Sequence, residues 1–321
     1  MKILITGGAG FIGSHLAERL VAEGHSVIAL DDLSTGNAKN LAHLNGKNGF
    51  EFVNGSMLDE KLMDSLMGKV DGCIHLGAAL GVKRILERPY ESLVANTHGT
   101  EVAVKAAVKY GAKFFLASTS ELYGKNPIQP LTESSDRVIG SPQLVRWAYS
   151  EAKAIDESVV QMFSQSHGLK YVTGRFFNTV GPRQSGAYGM VLPRFVASAI
   201  KGEPITVYGD GSQSRVFCHV SDAVDGILRI FFNDRALGEA FNIGGEEEVT
   251  IGELANRVIK VTGSNSKVVF VPYKEAYPPG FEETMRRVPD TTKLRNFTGW
   301  KPQFSLDAII KDIENYLRAN S

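Results

Sequence analysis

Near its start the chain runs Lys2-Ile3-Leu4-Ile5-Thr6 and passes straight into Gly7-Gly8-Ala9-Gly10-Phe11-Ile12-Gly13-Ser14-His15-Leu16. An apolar run ended by glycines, then Phe11, Leu16, Leu20 and Val21 at helical spacing, predicts a strand, a tight turn and a helix. Gly8, Gly10 and Gly13 fit Gly-x-Gly-x-x-Gly, and Gly7 adds the Gly-x-x-Gly-x-x-Gly variant. Glycine lets the backbone turn sharply here and lets a pyrophosphate reach the helix N-terminus, where free amides and the helix dipole hold it. Gly7, Gly10, Phe11, Ile12 and Gly13 are therefore expected to face a dinucleotide. A second apolar strand, from Ser26 to Leu30, ends in Asp31-Asp32, with Asp31 eighteen residues past Gly13 (31 − 13). An acid there accepts hydrogen bonds from the adenosine ribose and repels a 2′-phosphate, which favours NAD over NADP.

Strand and helix patterns keep alternating. Phe50 to Val53, Val70 to Leu76, Lys113 to Ala117 and Tyr171 to Phe176 read as strands. Leu58 to Leu66, Pro89 to Tyr110 and Gln143 to His167 read as helices. Such alternation predicts an α/β, Rossmann-type, doubly wound parallel sheet. Ligands bind beyond the carboxyl ends of such strands, so Ser56 and Met57, and Leu76 and Ala78, are assigned to the two ends of the cofactor. His75, on a buried strand, reads as a core histidine. After Phe176 a turn-rich exit leads to a helix from Gly189 to Ile200, a strand from Pro204 to Tyr208 and a polar loop from Gly209 to Arg215. The segment Val216 to Val220, a helix to Phe232 and a strand from Ala240 to Ile243 read as a return to the sheet. The expected division is an NAD-binding domain over 1–175, rejoined at about 216–243, and a smaller C-terminal substrate domain over 176–321. Thr250 with Glu253 predicts a capping box, and Ser305 caps a last amphipathic helix.

The formal net charge of +0 and pI near 7.1 point away from nucleic acid and membrane surfaces. No run approaches a membrane span, and glycine arrives too early for a signal peptide. Cys73 and Cys218 lie in apolar segments, so a cytoplasmic setting without disulfides is expected. Metal-binding motifs and a Gly-x-Ser-x-Gly elbow are not found.

The chemistry is placed between Ala117 and Lys153. On an extended chain Thr119 and Glu121 point the same way, setting a hydroxyl beside a carboxylate at a strand end. Tyr149 and Lys153, four apart, share a helix face. A lysine ammonium beside a phenol is expected to lower its pKa toward working pH and make it a general base.

With the glycine loop, Asp31, Thr119 and the Tyr149/Lys153 pair in hand, the chain resembles the extended short-chain dehydrogenase/reductase superfamily. More narrowly it resembles the NAD-dependent nucleotide-sugar epimerases, dehydratases and decarboxylases. The resemblance runs from Thr6-Gly7 to Gly299-Trp300-Lys301-Pro302. It implies a retained NAD, with Tyr149 taking the proton of the sugar C4 hydroxyl, Thr119 hydrogen-bonded to that oxygen, and Lys153 on the nicotinamide ribose. It also implies a substrate site of Asn178, Arg183, Leu192, Tyr208, Arg215 and Arg287, with Asn178 and Arg215 on the diphosphate, Tyr208 against the base and Arg287 near the phosphates or sugar. An asparagine common near Met190 in the epimerases is absent. A homodimer on the two long helices is implied as well.

A ketone at C4 allows reduction from the other face, loss of a C6 carboxylate, or loss of water across C5–C6. The last two gain from an acid/base group near C5, which Glu121 can supply. Ser118-Thr119-Ser120-Glu121, with Tyr123-Gly124 following, resembles the UDP-glucuronate decarboxylases, and Arg146-Trp147-x-Tyr149 resembles their bacterial bifunctional relatives. The expected activity is UDP-glucuronate decarboxylation on a UDP-sugar, ahead of 4-epimerisation and then 4,6-dehydration. A non-catalytic NAD-binding sensor is the remote alternative.

Overall fold

The computed structural model describes residues 1–79, 89–186, 190–276 and 282–320. Seven parallel strands form the main sheet: β1 (Lys2–Thr6), β2 (Ser26–Asp31), β3 (Phe50–Asn54), β4 (Gly72–His75), β5 (Lys113–Thr119), β6 (Tyr171–Phe176) and β11 (Ala240–Ile243). Their order is β11-β6-β5-β4-β1-β2-β3, so the winding reverses between β1 and β4. That reversal opens a crevice above the strand ends. The doubly wound sheet expected from the sequence is present.

The sheet is covered on both faces, which explains why its inner strands β1, β2 and β4 are buried nearly end to end rather than alternating. Ile3 and Ile5 face one core with Leu16 and Leu20 of helix α1 (Phe11–Ala22). Leu4, between them, faces a second core with Met63 and Leu66 of α2 (Glu60–Met67) and Val102 and Ala106 of α3 (Pro89–Tyr110). Helix α4 (Ala148–His167) packs on α3 and on β5. A third core lies outside the sheet. There α5 (Val191–Lys201) contributes Phe195 and Val196, α7 (Ile251–Thr262) Leu254 and Val258, and α10 (Leu306–Ala319) Ile309 and Ile313, over β8 (Ile205–Tyr208).

Several expectations need correction. The helix toward His167 begins at Ala148, preceded by a 3-10 turn at Val145–Trp147, rather than at Gln143. The helix expected from Gly189 begins at Val191, and Gly189 itself lies outside the described residues. Of the stretch expected to return to the sheet, β11 joins it beside β6 and α6 (Val220–Phe231) packs against α1. Cys218–His219, here β10, instead pairs with β7 (Thr179–Val180) in a separate ribbon. The supposed loop end at Ser214-Arg215 is a strand, β9 (Ser214–Val216), lying between β12 (Glu248–Thr250) and β14 (Arg286–Arg287). The capping box of α7 is formed as expected, Thr250 accepting from the Glu253 amide and Glu253 from the Thr250 amide.

Candidate active site

Above the strand ends lies one cleft of about 1250 Å³. One end is built by the glycine turn. Gly7 has φ +69°, a left-handed conformation that favours glycine, and a Cβ on Gly13 would sit 2.2 Å from the Gly7 carbonyl oxygen. Gly10 caps α1 without a side chain, leaving the first amides of the helix open to the cleft. Asp31 is buried at the end of β2. Its carboxylate accepts from the Ala9 amide at 3.0 Å and the Leu33 amide at 2.8 Å, while burial pushes its pKa up. Gly7, Gly10, Phe11, Ile12, Gly13, Asp31 and Asp32 all line this end, with Ser56, Met57, Leu76 and Ala78 further along. A cradle that a Cβ would fill, backed by helix amides and flanked by a carboxylate, fits the phosphates and ribose of NAD.

At the centre stand Thr119, Glu121, Tyr149 and Lys153. Thr119 ends β5, and its hydroxyl oxygen accepts from the Glu121 amide at 3.1 Å, which leaves the hydroxyl proton free to donate. Glu121 belongs to a 3-10 turn, Ser120–Tyr123, so the turn and not strand alternation brings it beside Thr119. It does not sit in solvent. Its Oε2 lies 2.6 Å from Arg146 Nη1, and its Oε1 pairs with Arg287. Burial opposes its ionisation, but Arg287 and Arg146 outweigh that and hold the carboxyl well below the usual range.

The phenol departs from expectation. Burial, then the charges of Glu121 and Asp156, push the Tyr149 pKa far up instead of down. Behind it, Lys153 Nζ pairs with Asp156 Oδ2 at 3.0 Å, and both side chains are buried. The Lys153 ammonium is therefore committed to a carboxylate on the far side of its own helix turn. His75 is the core histidine expected, with Nδ1 2.8 Å from Thr6 Oγ1, and burial lowers its pKa to about 3.

A network locks α4 to the strand ends. Ser118 donates to Glu157 at 2.5 Å, and Arg175 of β6 grips Glu157 through Nη2 at 2.7 Å and Nε at 2.9 Å. Arg175 also donates to the Tyr123 hydroxyl, which in turn donates to Asn242 of β11. Through Glu157, two turns beyond Tyr149, the phenol is fixed relative to Thr119.

The far end carries Asn178, Tyr208, Arg215 and Arg287, whereas Arg183 lies beside the start of α1, its Nη1 3.4 Å from Ser14 Oγ. Leu192 does not belong there: it is fully buried in the third core, and Met190 and Val191 reach the cleft instead. Arg215 and Arg287 are register partners on β9 and β14, which sets two guanidiniums side by side. Burial and the neighbouring Arg287 lower the Arg215 pKa to about 10, against the pull of Glu283 at 2.7 Å. Asn178 and Arg183 both have positive φ, +30° and +67°. Arg183 ties the exit loop to α1 through Glu18 at 2.6 Å. Given no site role from the sequence were Arg146, noted there only within a resemblance, Arg194 and Gln213 on the cleft wall, and Asp156 behind it. Helical spacing carried a signal for two of them, since Arg146 precedes Tyr149 by three residues and Asp156 follows Lys153 by three.

The parallel sheet with its reversal point, the glycine cradle and the Tyr149/Lys153 helix together define a dinucleotide-dependent enzyme of the short-chain dehydrogenase/reductase kind. Residues 4–313 match the family described as GDP-mannose 4,6 dehydratase, and the chain belongs to that family, among the NAD-dependent extended short-chain dehydrogenases/reductases. A UDP-N-acetyl-alpha-D-glucosaminuronate decarboxylase of Bacillus cytotoxicus is 40% identical over 99% of this chain and 98% of its own length. UDP-glucuronic acid decarboxylase 1 of Danio rerio is 34% identical over 99% of this chain and 73% of its own. Among solved structures, UDP-glucose 4-epimerase of Thermotoga maritima with UDP-glucose superposes with a TM-score of 0.90 at 30% identity, covering 100% of this chain and 99% of that one. UDP-glucuronic acid 4-epimerase of Bacillus cereus, in complex with UDP-glucuronic acid and NAD, gives 0.90 at 25% identity, covering 100% of both chains.

Proposed function

We propose that this chain is a lyase that decarboxylates a UDP-uronic acid, with UDP-glucuronate and its 2-acetamido counterpart as the substrates to test. The observation that carries the reading is the charge beside Tyr149. Arg146 and Arg287 share one carboxylate, Glu121, and the three side chains are 11%, 10% and 19% exposed. Two guanidiniums and one carboxylate leave one positive charge, which a uronate carboxylate would balance and an uncharged hexose would not. The decarboxylase relatives named above, matched over nearly the whole chain, point the same way.

When bound, NAD supplies a reversible two-electron acceptor for the sugar C4 carbon and a positive charge beside the phenol. Tyr149 takes the C4 hydroxyl proton and later returns it. Thr119 donates its free hydroxyl proton to the same oxygen. With C4 a ketone, the C6 carboxylate is β to a carbonyl. The C5–C6 bond then breaks, carbon dioxide leaves, and the electron pair spreads onto the C4 oxygen. The Thr119 and Tyr149 donors stabilise that oxygen, after which C5 takes up a proton from solvent water. Glu121, held ionised by its arginines, orients them rather than donating a proton. Arg215 and Asn178 serve the diphosphate, Arg287 faces the sugar carboxylate beside Glu121, and Tyr208, under the Arg194 guanidinium at 4.5 Å, serves the base.

The domain division follows this use: residues 1–175, rejoined by the segment ending in β11, hold NAD, and 176–321 mainly hold the nucleotide sugar. A homodimer through α3 and α4 is supported by their apolar side chains left in solvent, Tyr90 at 75% and Met162 at 56% exposure. Among the described residues no helix is long and apolar enough to cross a membrane, and we place the enzyme in the cytoplasm. The deciding experiment incubates the protein with UDP-glucuronate, UDP-N-acetylglucosaminuronate and UDP-glucose, read by mass and NMR. Carbon dioxide and a UDP-pentose from a uronate are expected. Epimerised product without carbon dioxide would make the enzyme a 4-epimerase isomerase. Bound NAD with no turnover of any sugar nucleotide would make it a sensor.

A further inference from the structure

Asp156 lies on α4 one turn beyond Lys153, with an exposure of 0%, behind the wall of the cleft. A buried carboxylate is costly unless it is paired, and its Oδ2 has Lys153 at 3.0 Å. Its Oδ1 makes no hydrogen bond of good geometry among the described residues, although the Thr100 hydroxyl lies beside the carboxylate and favours its ionised form. Among the described residues, Lys153 is the cation paired with it. His75, on β4 behind Thr100, is neutral, its Nε2 3.4 Å from the Thr100 hydroxyl. Glu157, the next residue along α4, is committed to Arg175 and Ser118. Glu121, facing Tyr149 from the turn after β5, is committed to Arg146 and Arg287.

We propose that Asp156 is a positioning residue that divides the charge of Lys153 between a buried carboxylate and the Tyr149 phenol. A single ammonium serving both neighbours is drawn back along the helix, away from the phenol. Asp156 also adds its own negative charge, which disfavours the phenolate directly. Both effects have the same sign: with Asp156 present, Tyr149 surrenders its proton at a higher pH than Lys153 alone would allow. The consequence is an enzyme whose acid limb lies toward the alkaline side, and whose tuning group touches neither sugar nor cofactor. Removing that charge while keeping the shape, as in Asp156→Asn, should move the phenol midpoint down by on the order of one pH unit, the size of a nearby like charge.

The inference rests on Tyr149 as the proton acceptor, and its test does not depend on which sugar is used. In the NAD-loaded protein, phenolate absorbance is titrated for the wild type, Asp156→Asn and Asp156→Glu, each as a difference against the same protein carrying Tyr149→Phe. Asp156→Asn should lower the midpoint by about one unit, and Asp156→Glu, which keeps the charge, should stay near the wild type. Asp156→Ser gives the same readout should the Asn variant fail to fold. A pH profile of single-turnover NAD reduction should shift in parallel. A midpoint that is unchanged or raised in both neutral variants overturns the proposal. A lowered midpoint in a protein that releases no carbon dioxide from any UDP-uronate leaves the pairing standing and removes the decarboxylase reading.

Discussion

Replacing Glu121 by glutamine keeps the side chain's size and removes its charge. In the native site two guanidiniums share this carboxylate, through Arg146 at 2.6 Å and through Arg287. At a charge separation of about 4 Å and an effective dielectric near 20, each contact is worth about 4 kcal/mol gross, and two give about 8. Relieving the burial of one carboxylate returns several kcal/mol of that sum. The net is then close to the loss of about 3–5 kcal/mol typical when one partner of a buried pair is removed. The variant should therefore be less stable by that amount in denaturant titration at neutral pH. It should also release no carbon dioxide from a UDP-uronate, because the arginines it oriented are left to repel each other. The pH dependence has a definite sign. A carboxyl whose folded pKa lies below its unfolded value of about 4.3 stabilises fully above that value and loses the contribution as pH falls toward the folded one. Glu121 is depressed in this way. The wild-type advantage over Glu121→Gln should thus persist from neutrality to about pH 5 and shrink only below about pH 4. A neutral-pH difference under about 1 kcal/mol, or undiminished carbon dioxide release, would refute the clamp.

Three further outcomes are expected. Tyr149→Phe should retain the fold by circular dichroism and lower turnover by about 10²–10⁴-fold, the range of general acid–base catalysis; near-normal turnover would remove Tyr149 from its role. Gly13→Ala would place a methyl 2.2 Å from the Gly7 carbonyl, and purified protein should then carry no NAD by absorbance. Asp31→Asn should weaken NAD about tenfold to a hundredfold, as hydrogen bonds to a charged group are worth about 1.5–3 kcal/mol. It should also narrow the preference over NADP, measured by competitive binding.

What the linear chain determined is local chemistry and its periodicity. The turn after β1 requires glycines wherever it forms, because a Cβ there meets backbone, so the dinucleotide cradle was readable at Gly7 to Gly13. Apolar runs at strand length, separated by helical stripes, pointed to a parallel sheet covered on both faces, and the glycine loop with Asp31 pointed to its doubly wound form. Tyr149 and Lys153 share a helix face because they are four apart. Folding decided which charges meet. Arg287 reaches Glu121 across 166 residues because β14 lies beside β9, and no spacing rule connects those segments. Leu192 was misplaced for the same reason: helix rotation against the third core, not sequence distance, chose Met190 and Val191 for the cleft. The pKa of Tyr149 ran opposite to the lysine argument because burial, Glu121 and Asp156 act on it in a medium that screens poorly. Sequence spacing set which groups could be neighbours along one helix, and the three-dimensional packing set the field in which they ionise.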